Sequence, residues 1–96
     1  MAIYLVTPLS SNFDQLGQAL REVVPANDSH ELQHRAGYLV SFQGTSVELS
    51  NKLGITSEDP AAAPPMGSTI VTSVGSYYGR GSTAMWEWLK VKIEGR

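Results

Sequence analysis

Ninety-six residues without a cysteine, 42% hydrophobic and 17% charged, describe one small domain and exclude a disulfide framework and thiolate metal sites. A chain of this size buries only about 60–65% of the surface it exposes when unfolded, so self-association is expected to help it. Nine acidic and seven basic residues leave a net charge of −2, too little of either sign to attract a general electrostatic partner, so any nucleic-acid contact has to be local.

In chain order, Ala2 to Thr7 is rich in β-formers and stops at Pro8, which predicts a buried strand. A helix follows. Asn12 suits the N-cap with Gln15 three residues on, and Phe13, Leu16, Leu20, Val23 and Val24 recur at helical spacing until Pro25 ends the run. Gly17 inside it costs about 1 kcal/mol relative to alanine, which close packing on a sheet explains. His30 to Arg35 reads as either strand or helix, whereas Tyr38 to Phe42, after Gly37, reads as a strand.

Thr45 and Glu48 form a capping-box pattern, with Val47, Leu49 and Leu53 as an apolar face and Gly54 as the stop of a short second helix. Residues 55–67, with Pro60, Pro64, Pro65 and Gly67, predict a mobile surface loop. Ser68 to Val74 predicts a core strand. After the turn Gly75 to Gly81, Ser82 caps a helix carrying Met85, Trp86 and Leu89, although Leu89, Val91 and Ile93 also alternate as a strand does. The last four residues, Ile93-Glu94-Gly95-Arg96, spell a protease site used in tag removal, so the domain is expected over 1–92, with 93–96 a remnant or a disordered tail. No apolar run approaches the length of a membrane span, and residues 1–4 lack the basic start of a signal peptide; with no cysteine, a cytoplasmic location is expected.

The resulting order is βαββαβ with an added C-terminal helix, an α+β chain of the ferredoxin-like, split βαβ kind with an antiparallel sheet. The strings AIYLVT (2–7), GYLVSFQGTSVELSNKLGI (37–55) and IVTSV, YYG and WEWLK (70–74, 77–79, 86–90) resemble the small SinR-like proteins related to the CRISPR-associated spacer-acquisition subunit and to VapD-type toxins. The resemblance implies a ferredoxin-like fold and a homodimer. Some members of that group are metal-dependent nucleases using an aspartate at the end of the first strand. Here that neighbourhood is Val6-Thr7-Pro8-Leu9-Ser10, with no acid before Asp14, so the resemblance argues against nuclease activity.

Two strings invite chemistry. His30-Glu31-Leu32-Gln33-His34 is an HExxH; on a helix His30 and His34 share a face and can hold zinc while Glu31 activates its water. That reading needs a long helix and a third ligand, for which Glu48 or Glu58 is available. On a strand, the two histidines stand about 13 Å apart and Glu31 points to the other face, leaving two polar strand histidines. The second string is Tyr77-Tyr78-Gly79-Arg80-Gly81-Ser82-Thr83, where free helix N–H groups, Arg80 and the Ser82 hydroxyl suit a phosphate or carboxylate, and Tyr77 and Tyr78 suit a stacked base. A glycine turn capped by serine reverses many chains with no ligand at all.

Trp86 and Trp88, two apart, point in different directions on a helix, so one is expected on the sheet and the other at a subunit contact. No catalytic triad or GxSxG string is present. The residues are read as a homodimeric binding or interaction protein without a cofactor. The alternatives are a small zinc-dependent hydrolase using His30, Glu31 and His34, and a local nucleic-acid or anion binder using Tyr77, Tyr78, Arg80 and Ser82.

Overall fold

The first strand, β1 (Ala2–Pro8), carries an unbroken apolar run because the sheet it joins is covered on both sides. Side chains alternate along a strand, so Tyr4 and Val6 enter one apolar cluster while Ile3 and Leu5 enter another on the opposite face. The computed structural model describes residues 2–56, 66–75 and 79–94. Along them run β1, α1 (Phe13–Val23), β2 (Ser29–Glu31), β3 (Tyr38–Phe42), α2 (Ser46–Lys52), β4 (Thr69–Ser73) and α3 (Thr83–Glu94), with short 3-10 turns at Ala26–Asp28 and Gln33–Arg35.

The chain is α+β, with the strands in the order β2-β3-β1-β4 and every neighbouring pair antiparallel. Each helical connection skips one strand: α1 carries the chain from β1 past β3 to β2, and α2 carries it from β3 past β1 to β4. Leu16 and Leu20 of α1 and Leu49 of α2 pack with Val6 and Val40 in the larger cluster. Each such fully buried side chain contributes about 1.5–3 kcal/mol over leaving it in water. On the other face, Leu89 of α3 packs on Ile3 and Leu39. Among the described residues no helix is long and apolar enough to cross a membrane.

Local signals in the sequence have structural counterparts. The Thr45 hydroxyl accepts from the Glu48 N–H at 3.1 Å, and the Glu48 carboxylate accepts from the Thr45 N–H at 3.0 Å, which is the reciprocal capping box. Gly54, at φ 79°, follows the helix in the left-handed conformation that a stop of this kind uses. The Gly17 site is closed to a side chain, since a Cβ there would stand 2.5 Å from the Tyr38 hydroxyl oxygen. Asn12 occupies the N-cap position of α1 but does not cap it. Its Nδ2 instead donates to Thr69 Oγ1 at 2.7 Å and to the Gly67 carbonyl at 3.2 Å, tying the start of α1 to the start of β4.

Three expectations need correction. β4 is an edge strand, because β1 lies on one side of it and no strand among the described residues lies on the other, and it is largely exposed. Val47 does not share the apolar face of α2: two residues from Leu49, it projects away from the core and is 66% exposed. Trp86 and Trp88 both pack against the Ile3, Leu39 and Leu89 cluster, not just one of them as expected, because α3 lies on the sheet with Leu89 between them, and both remain half-buried. Residues 83–94 form a helix, with the Ser82 hydroxyl accepting from the Met85 N–H at 3.2 Å, and this helix includes Ile93 and Glu94. Of the mobile loop expected over 55–67, Ile55 and Met66 pack on the core, and residues 57–65 lie outside the described residues.

Tyr38 links β3 to α1. Its ring stacks on Phe13 at 4.8 Å between centroids, and its hydroxyl donates to the Phe13 carbonyl at 3.2 Å. Burial, and then the nearby carboxylates of Glu31 and Asp14, raise its pKa above the ordinary 10.0. The folded chain therefore holds this proton more tightly than the unfolded chain does. Stability is fully retained below the ordinary tyrosine value and falls as pH rises from there through the raised one. Thermal unfolding across the alkaline range should show a steeper loss of melting temperature for the wild type than for Tyr38→Phe; parallel profiles contradict the assignment.

Candidate interaction surface

The HExxH segment does not form an α-helix. Ser29–Glu31 is the strand β2, pairing Ser29 with Val40, His30 with Leu39 and Glu31 with Tyr38. After Leu32 the chain makes a 3-10 turn in which His34 and Arg35 take left-handed φ values of 60° and 56°. The shared helical face that would hold a metal between His30 and His34 is therefore not formed. Among the described residues no three His, Cys, Asp or Glu side chains come together as ligands. His30 instead lies against the ring of Trp88, 6.0 Å between centroids, while Glu31 and His34 are exposed. Glu48 is occupied in the capping box and Glu58 is outside the described residues.

Around His30, the turn Ala26–Asp28 anchors α3. Trp88 Nε1 donates to the Asn27 carbonyl at 3.0 Å, and the Lys92 ammonium pairs with the Asp28 carboxylate, both side chains mostly buried. Arg35 reaches back to α1, pairing with Asp14 at 3.1 Å and lying 4.7 Å over the Phe13 ring. In the second candidate string, Arg80 is exposed and the Ser82 hydroxyl serves as the cap of α3. Tyr77 and Tyr78 are outside the described residues.

The two edges of the sheet differ. β2 is three residues long, ends in the charged Glu31 and is followed by Arg35, features that discourage strand addition. β4 is five residues long, and from Ser68 to Gly75 there is neither a charge nor a proline. Its backbone polarity follows from the register with β1. The Leu9 N–H donates to the Ser68 carbonyl at 2.8 Å and the Val74 N–H to the Ile3 carbonyl at 2.9 Å, so residues 68, 70, 72 and 74 turn their polar groups toward β1. Thr69, Val71 and Ser73 therefore turn theirs outward, where no strand among the described residues receives them.

Beside this edge, α2 and β4 enclose an open groove of about 460 Å³ lined by Val47, Ser50, Ile55, Ile70 and Val71 among others. Ile70 is 51% exposed. Sequence reasoning missed this surface because an alternating strand pattern does not say which strand ends the sheet. The spacing of Val47 from Leu49 was the available signal. No family model, curated protein or solved structure matches this chain.

Proposed function

We propose that this chain is a binding and interaction protein that works as a homodimer, with a ferredoxin-like build akin to the SinR-like group. The strand order β2-β3-β1-β4, with both helical connections skipping a strand, supports the split βαβ assignment. Val6-Thr7-Pro8-Leu9-Ser10 offers no carboxylate at the end of β1, which favours association over nuclease chemistry. The observation that carries the reading is the uncharged β4 edge beside the exposed Val47 and Ile70. An uncharged open edge with exposed apolar side chains beside it is an association surface or a hazard, and a small domain gains core by sharing it.

Sedimentation equilibrium tests the reading. The expected mass is twice the 10.4 kDa of one chain, with dissociation on dilution. A single-chain mass up to the highest soluble concentration overturns it.

A further inference from the structure

We infer that the β4 edge receives the β4 edge of a second copy, antiparallel and centred on Val71, so that two four-stranded sheets become one of eight strands. This rests on the homodimer reading above and goes further by naming the surface and its register.

The backbone specifies the geometry. Only Thr69, Val71 and Ser73 turn their N–H and C=O groups outward, so only they form hydrogen-bonded pairs with a new neighbour. An antiparallel arrangement about a two-fold axis places Val71 opposite Val71 of the partner subunit. It then places Thr69 opposite Ser73 of the partner subunit, and the reverse. Every outward group of β4 acquires a partner, and the contact closes on itself, leaving only the two short, charged β2 edges at the ends of the sheet.

The side chains agree with self-pairing. Directly opposed like charges destabilise a strand pair, and none arise here because β4 carries no charge. Threonine faces serine on one side of the sheet, a favourable cross-strand combination, while Ile70 faces Thr72 of the partner subunit on the other. The groove containing Val47 and Ile70 runs beside this seam and is partly covered by the second copy. The β2 edge lacks these properties: it is shorter and carries Glu31. A foreign extended peptide would use the same backbone groups, but the two-fold complementarity of Thr69, Val71 and Ser73 favours the chain's own strand.

The absence of cysteine makes a direct test available. Opposed residues in a hydrogen-bonded antiparallel pair stand about 5.5 Å apart at Cα, within disulfide range. Val71→Cys should therefore oxidise to a covalent dimer, whereas Gln18→Cys, exposed on α1, should not under the same conditions. Ser73→Pro removes an outward N–H while leaving the bonds to β1 intact, and an exposed edge position tolerates proline. It removes one main-chain hydrogen bond from each protomer, and the dimer should weaken about tenfold or more.

The outcomes separate. If the wild type is dimeric but Ser73→Pro leaves its dissociation constant unchanged and Val71→Cys does not cross-link, the copies meet elsewhere and the register is wrong. If the wild type is a monomer, the homodimer reading fails first. Circular dichroism of Ser73→Pro checks that the monomer still folds, and the conservative Val71→Cys keeps the proposal testable if it does not.

Discussion

Gly37→Ala is expected to cost about 3 kcal/mol or more, a large part of the roughly 5–15 kcal/mol that holds a domain of this size together. Gly37 is buried at φ 149°, where an L side chain is strained, and a Cβ there would overlap the carbonyl oxygen of Val6. That oxygen belongs to the central strand and is held by its neighbours, so it has no cheap way to move aside. The glycine also closes the β2–β3 connection, its carbonyl accepting from the Leu32 N–H at 2.9 Å. Gly44 provides the comparison. It has a similar φ of 152°, but the nearest obstacle to its Cβ is the side chain of Phe42, at 2.6 Å. Urea unfolding followed by circular dichroism should show the midpoint collapsing for Gly37→Ala and falling less for Gly44→Ala; equal losses contradict this account.

The second large effect concerns α3. Lys92→Ala leaves the Asp28 carboxylate in a site where the side chain is only 15% exposed, and Asp28→Ala does the same to an ammonium at 17%. Each single change should lower stability by about 2–4 kcal/mol, because a mostly desolvated charge loses its counter-charge. Replacing both residues together, Asp28→Leu with Lys92→Met, should recover most of that loss, since the desolvation cost disappears along with the attraction. Trp86 and Trp88 both sit on α3, so their fluorescence reports the helix directly. Single variants within about 0.5 kcal/mol of the wild type would show that the pair is not what holds the helix in place.

Where local chemistry decides a structure, the sequence was readable. The capping box at Thr45 and Glu48 and the periodicity of Phe13, Leu16 and Leu20 involve only neighbours along the chain. Ser82 likewise caps α3, and three turns of helix prevail over the alternation of Leu89, Val91 and Ile93 because Leu89 and Ile93 then meet one face of the sheet. What escaped depends on tertiary order. The alternation in β4 is the same whether a strand lies at the edge or the centre. An HExxH string prescribes a helix only where the flanks support one, and here Gly37 and the pairing of Ser29–Glu31 with β3 commit the segment to a hairpin. Asn12 satisfied the rule for a cap and was diverted by Thr69, a contact that no neighbouring residue announces.

The two-sided sheet also bears on how the chain leaves the ribosome. β1 cannot complete its pairing until β3 and then β4 have been made, and the cover for Ile3, Leu5 and Leu39 comes from α3, which follows them both. Emerging in order, the nascent chain therefore presents a half-built sheet with one apolar side bare until α3 has been made. The residues that protect that side follow β4 in the chain, so a chain cut between residues 75 and 83 would keep all four strands and lose the cover over Ile3, Leu5 and Leu39, the form in which this protein is most exposed to chaperones and to its own kind.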